Sequence, residues 1–393
     1  MRKVRLLGFW PKANRLTGRS TSLREINLKT NILFVAEKPT ERSFKISYAL
    51  RKRGISTSVL YRTSFEDQDF GRYFDFVRIE PDINEIARIA ARQSADFVHL
   101  NTFCFDNVCT EILLGSGKKV IYDPKDVFPG VAQDFGIPKN VLDAQQYLLQ
   151  HAHALIMRDG GAHLSSQLLK FSLTRRRLFF PDFCWSSDFF PKIIKSKRDI
   201  DIGNIKFVII GNFYSERQFP HFAGAGQIYV VEAILKAGHS LDIFPSKFNI
   251  GHDLSDYERL GKSFPGRLKI HSPLSEYNLI TQALPAYDVG LNVSQAVMLP
   301  RLPQYLHPRM YTYCGSTRVF DYLTAGLHIG LDYKQFKVAF RKVGFNILNL
   351  ESFAESIQKY FQAAKFGDER RYEMRELSID KYIDKLIDFY RRV

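Results

Sequence analysis

The stretch Ser316–Asp332, STRVFDYLTAGLHIGLD, holds the residues best suited to chemistry. Val319, Phe320 and Leu323 recur at helical spacing, which puts Thr317, Arg318, Asp321 and Ala325 on another side of the same predicted helix. Gly326 stands where a left-handed helix end is wanted, and Leu327 to Leu331 reads as a buried strand. Gly315 and Ser316 precede the helix, so its first N–H groups and the positive end of its dipole can meet an anion. Arg318 adds a fixed cation. Asp321, one turn on, offers a carboxylate that can accept from a sugar hydroxyl. A diphosphate joined to a ribose needs these two functions side by side. The same residues would also suit a plain ion pair along one helix turn, worth roughly 0.2–0.5 kcal/mol.

Ligands of parallel sheets collect beyond the carboxyl ends of strands, so residues just after each predicted strand are the next candidates. Gly211 and Asn212 follow the strand Ile205–Ile210 and let the backbone approach a phosphate, with Arg217 in the same loop. A simple turn uses glycine there as well. Asn101 closes the strand DFVHLN, in which His99 is expected to pack within the sheet. Val120–Phe128, VIYDPKDVF, brings Asp123, Lys125 and Asp126 together after a strand; turns and helix caps also favour aspartate. The arm Ser294–Gly315 carries Arg309 and the tyrosines 305, 311 and 313, which could stack on a base.

Taken together these segments resemble GT-B glycosyltransferases, especially the family-4-like enzymes. Their donor-binding segment has a Lys, two residues, a Glu, an aromatic, Leu or Met, two small residues and Gly. Arg318 stands for the Lys, Asp321 for the Glu, and Tyr322–Gly326 for the rest. The resemblance implies that Asp321 holds the ribose and Arg318 the diphosphate of a nucleotide sugar. Ser316, Thr317, Gly211, Asn212 and Arg217 would complete the donor side. VIYDPKDVF resembles the family's strand followed by Asp, any residue, His, Asp, with Lys125 at the His position. On that basis Asp126 would take the acceptor proton, Lys125 would bind a phosphate or an anionic acceptor, and Asn101 would lie on the acceptor side. By the same analogy no metal or other cofactor is needed, and retention of configuration is favoured. The acceptor would be a glycan or a lipid-linked sugar, as in cell-surface polysaccharide synthesis. Two other functions stay open: a GT-B nucleotide-sugar epimerase, and a non-catalytic or nucleic-acid-binding protein on a degenerate scaffold of the same kind.

Strands alternating with helices along the chain predict an α/β architecture of two Rossmann-like domains facing a cleft. The first alternation runs from strand Asn31–Ala36 through helices such as Ile83–Arg92 and Asp106–Gly115. It suggests an acceptor domain over 31–190, a linker over 191–204 and a donor domain over 205–366. A helix is expected over Asn349–Lys365. A strongly amphipathic one is expected over Ser378–Val393, within a closing segment 367–393 that could cross back to the first domain.

A chain of 393 residues, 45% hydrophobic and 25% charged, is long enough for two cores and has a globular composition. A net charge of +15 points to an anionic partner. The basic, aromatic segment 1–30 would suit an anionic membrane surface, which argues for a cytoplasmic or peripheral location. No RNA-binding signature is present, so nucleic acid is not the expected partner. Cys104, Cys109, Cys184 and Cys314 have neither metal nor redox spacing and are expected to be reduced.

Overall fold

Asn31–Ala36 (β1), NILFVA, is buried on both faces, which is what a central strand of a parallel sheet requires. The computed structural model describes residues 30–63, 69–101, 105–130, 137–213, 215, 227–246, 253–293, 317–331, 348–349 and 353–393. The basic segment 1–29, Cys104, Arg217 and the span 294–316 (Arg309, Cys314 and Ser316 included) lie outside them.

In the first domain β1 is followed by α1 (Glu41–Arg51), β2 (Ser56–Tyr61), α2 (Phe70–Tyr73) and β3 (Phe76–Ile79). Then come α3 (Ile83–Arg92), β4 (Phe97–Leu100), α4 (Asp106–Gly115), β5 (Lys119–Tyr122) and α5 (Lys139–His151). β6 (Ala154–Met157), α6 (Gly161–Leu168) and β7 (Arg177–Phe179) complete it. The strands form one parallel sheet ordered β3-β2-β1-β4-β5-β6-β7. The second domain repeats the plan with β8 (Lys206–Gly211), α7 (Gln227–Lys236), β9 (Ser240–Pro245), α8 (Ser255–Ser263) and β10 (Leu268–Ile270). α9 (Glu276–Asn278) continues as a π turn over Leu279–Ala283, and β11 (Val289–Asn292), α10 (Thr317–Thr324), β12 (His328–Leu331) and β13 (Leu348–Asn349) follow. Its order is β10-β9-β8-β11-β12-β13. Each sheet therefore reverses direction at its first strand, beside β1 and beside β8, and each reversal opens a crevice at the strands' carboxyl ends.

The remaining helices are α11 (Phe353–Ala363), α12 (Gly367–Glu376) and α13 (Ile383–Arg392). Several details depart from the sequence reading, among them the short helix α2, which has no signal of its own. Leu348–Asn349 pairs with β12 as a strand, so the helix expected from Asn349 starts at Phe353. α12, GDERRYEMRE, was not expected, because it carries no apolar stripe. The closing stretch is not one helix: Ser378 caps a 3₁₀ turn over Ile379–Lys381 before α13 begins.

α13 lies on the first domain. The Tyr390 hydroxyl meets His99 Nδ1 at 2.5 Å, Tyr390 packs against Phe97, and Arg53 bonds Asp384 at 2.9 Å. The segment between the domains is just as tightly held. Trp185 is fully buried against Phe189, the Cys184 N–H donates to the Leu377 carbonyl at 3.0 Å, and the Cys184 carbonyl accepts from Ile379 N–H at 3.0 Å. One apolar cluster joins Phe44 and Tyr73 of the first domain to Trp185 and to Ile210, Ile280 and Tyr322 of the second. Cys109 and Cys184 are buried and form no disulfide with the described residues, and burial pushes the Cys184 thiol up to about 12. Among the described residues no helix is long and apolar enough to cross a membrane.

Tyr322 pegs α10 to its sheet. Its hydroxyl accepts from Ile210 N–H at 2.9 Å and donates to the Leu291 carbonyl at 3.0 Å. The ring crosses β11 at Gly290, where a Cβ would lie 2.1 Å from Tyr322 Cγ. With both hydroxyl bonds fixing the ring, the overlap cannot relax cheaply. Gly290→Ala is expected to destabilise by about 1–3 kcal/mol, the range for an overpacked core. Urea denaturation checks this; an unchanged midpoint would show that the ring can move aside.

Candidate functional site

The turn after β1 builds one wall of the cleft. Thr40 caps α1, its hydroxyl donating to Asn101 Oδ1 at 2.7 Å, and Ser43 donates to the same oxygen at 2.8 Å. Asn101 Nδ2 then donates to the Asp123 carbonyl at 3.0 Å. Asn101 is thus buried and ties the start of α1 to the ends of β4 and β5. Asp123 is fully buried and accepts from Arg42 Nε at 2.8 Å, with His99 Nε2 at 3.2 Å. Arg42 also reaches Asp182 at 3.0 Å and the Phe180 carbonyl at 2.7 Å. Burial opposes the charge on Asp123, but Arg42 and His99 outweigh it and hold the carboxyl below its usual range. Asp126 pairs with Arg158 at 3.0 Å, and Arg158 lies 3.8 Å from Asp182 of the same wall. Lys125, its neighbour, stays half-buried in the cleft, where its charge acts on Lys38, Glu41 and Glu276. Burial and then Lys125 keep Lys38 below the usual lysine range, with Glu37 opposing.

The other wall starts at Gly211, the last residue of β8, with φ of +113°. Only glycine takes that conformation easily, and here it also makes room. A Cβ would fall 2.2 Å from Cζ of Arg318, so the guanidinium lies directly on the Gly211 backbone. Asn212 Oδ1 accepts from Ser246, and the Ser246 N–H bonds the Gly211 carbonyl at 2.8 Å, which fixes the loop's first residues. Thr317 is the first residue of α10 and Arg318 the second, both half-buried. Arg318 has no hydrogen bond or ion pair among the described residues. Its charge nonetheless reaches Glu41 on the opposite wall.

Asp321 is 2% exposed. Its Oδ1 lies 2.7 Å from Nζ of Lys45, a residue of α1, and accepts from Trp185 Nε1 at 2.9 Å. Lys45 is itself 3% exposed, and its ammonium sits 5.5 Å from the Trp185 ring. Thr324, one turn on, accepts from the Trp185 N–H at 3.0 Å. Asp321 is therefore the far end of a buried strut between the domains, sealed by the tryptophan of the connecting segment.

The structure thus brings Lys125, Gly211, Asn212, Thr317 and Arg318 to one cleft. It draws Asn101, Asp126 and Asp321 to protein partners. Sequence reasoning missed Lys38, Glu41 and Lys45 after β1, and Glu276 at the start of α9. Their signal was position: each group follows the carboxyl end of a strand and begins at a capped helix, with Thr40 and Ser275 as the caps.

No protein-family model and no curated protein matches the sequence. Solved structures do resemble it. Sucrose-phosphate synthase from Thermosynechococcus elongatus superposes with a TM-score of 0.63 at 11% identity, over 92% of this chain and 98% of that one. A glycosyltransferase from Rickettsia africae gives 0.58 at 12% identity, over 93% and 98%. HepE of Anabaena, solved with UDP and glucose, gives 0.55 at 13% identity, over 92% and 97%. At such identities the likeness speaks for architecture alone: this chain has the GT-B fold, two Rossmann-like domains facing a central cleft.

Proposed function

We propose that the chain is a glycosyltransferase that takes a sugar from a nucleoside diphosphate sugar and passes it to a glycan or lipid-linked acceptor. One observation carries the reading: Arg318, which has no hydrogen bond or ion pair among the described residues, lies flat on a glycine backbone at the start of a helix inside the cleft. A guanidinium and the positive end of a helix dipole at one point favour a diphosphate. Lys125 faces the same space from the first domain. These cations, rather than a metal ion, would take up the charge of the departing diphosphate. The Anabaena neighbour, solved with UDP and glucose, supports the donor class. Asp321 acts here as a strut and not as the ribose ligand, since Lys45 and Trp185 already hold it. An anionic membrane bearing the acceptor would suit the net charge of +15.

The test is a thermal-shift series with UDP, GDP, ADP and dTDP, each beside the matching monophosphate and inorganic phosphate. A specific nucleoside diphosphate at 100 times its Kd should stabilise the fold by about 2.7 kcal/mol. A response to all polyanions alike, abolished by salt, would overturn the reading in favour of nonspecific charge binding.

A further inference from the structure

Two half-buried carboxylates in the cleft, Glu41 and Glu276, make no ion pair with the described residues, and Glu41 bonds only its own backbone N–H. We propose, building on the transferase reading, that Glu41 is the catalytic base that takes the acceptor proton, while Glu276 faces it from the second domain and donates a hydrogen bond to the donor sugar.

The two groups sit on fixed backbone. Glu41 opens α1, whose cap is bonded to Asn101, and Lys45 one turn on is anchored to Asp321 across the cleft. Glu276 opens α9 behind the cap Ser275, next to Tyr277, over which Arg72 of the first domain lies 3.7 Å from the ring centroid. Both side chains are half-buried. The charged groups that act on them most strongly are Lys45 from α1, Lys125 after β5, and Arg318 and Asp321 from α10. An acceptor on the first domain and a donor held by Arg318 would meet between them.

The charges divide the labour. Burial, then Glu41 and Asp321, raise Glu276 well above the usual carboxylate range. Burial acts the same way on Glu41, but Lys125, Lys45 and Arg318 outweigh it and keep that carboxyl ionised. Two facing carboxylates that cannot both ionise hold one proton, and here it belongs on Glu276. In the step itself, the acceptor oxygen forms a bond to the anomeric carbon and its proton passes to a Glu41 oxygen. The bond from the anomeric carbon to the diphosphate oxygen breaks, and its electron pair leaves with the diphosphate, beside Arg318. Glu41 then returns the proton to water. A single displacement inverts configuration, the reverse of the retention that the family resemblance favours. Asp126, already paired with Arg158, is not needed.

The experiment measures release of nucleoside diphosphate from UDP-, GDP- and dTDP-hexoses, with water or glycerol as acceptor, beside the thermal response to the same diphosphates. Glu41→Gln is expected to lose about 10²–10⁴-fold in kcat and to keep the thermal response. Added formate should restore part of the rate in Glu41→Ala, which a purely structural residue would not show. Glu276→Gln, which fixes the neutral form, should be as stable as wild type below about pH 4.5. It should become progressively more stable than wild type above that, because a raised native pKa costs stability once the unfolded group ionises. Turnover by Glu41→Gln within about threefold of wild type would overturn the assignment and leave the transferase reading standing. A wild-type chain with neither turnover nor a diphosphate response would overturn both.

Discussion

Lys45→Ala is expected to cost about 3–5 kcal/mol of folding stability, the usual penalty for removing one partner of a buried ion pair. The loss would come from what is left behind. Asp321 would keep the Trp185 N–H at 2.9 Å but would lose the cation 2.7 Å away, in a site 2% exposed. Burial opposes the charge on Lys45, yet the Asp321 carboxylate outweighs it and holds the ammonium above its usual range; on Asp321 burial is the larger influence and raises the carboxyl, with Lys45 opposing. Removing both charges should hurt far less. A Lys45→Met, Asp321→Leu double variant is expected near wild type, because apolar replacements remove the desolvation cost together with the attraction. Denaturant titration of the three variants forms a double-mutant cycle. The strut also spans the cleft, so the single variants should unfold in two steps where wild type unfolds in one. A single-variant loss below about 1 kcal/mol would mean that water reaches Asp321 and replaces the lysine.

Arg318→Ala is expected to weaken nucleoside diphosphate binding by about 10²–10³-fold, equivalent to about 2.7–4 kcal/mol. A bidentate, charge-assisted contact to phosphate is worth that much, and Arg318 is the cation against the Gly211 backbone among the described residues. Arg318→Lys should recover only part, since an ammonium cannot make the planar two-point contact. Gly211→Ala supplies an independent check from the opposite side. Its methyl would sit 2.2 Å from the guanidinium carbon and displace it, so it should copy Arg318→Ala in affinity while leaving the charge in place. Isothermal titration with UDP and GDP reads both. Unaltered affinity in Arg318→Ala would remove the arginine from the donor site.

The architecture was largely readable because apolar runs carry it. Asn31–Ala36, Ile83–Arg92 and Asp106–Gly115 come out with the same bounds by pattern and in three dimensions. Gly367–Glu376 escaped because its helix faces mostly solvent and has no stripe to see. The cleft was only half readable. Gly211 and Arg318 show themselves as a glycine after a strand and a cation at a helix start. The bond from Lys45 to Asp321 does not, since local spacing says nothing about partners brought together by two domains. Asp126 and Lys125 are adjacent in sequence yet differ in role, because Arg158 already pairs with the one carboxylate. Glu41 was overlooked because the turn after β1 has no glycine to mark it as a ligand loop.

The seat of α13 has a consequence for how the chain is made. Its Tyr390 completes the interior around Phe97 and His99, strands apart from it by almost the whole second domain. About 200 residues separate the end of β7 from the start of α13, roughly 10–40 s of ribosomal elongation. For that interval the leading half has all its strands but lacks the helix that covers them, and its bare apolar face is the natural target of a holding chaperone.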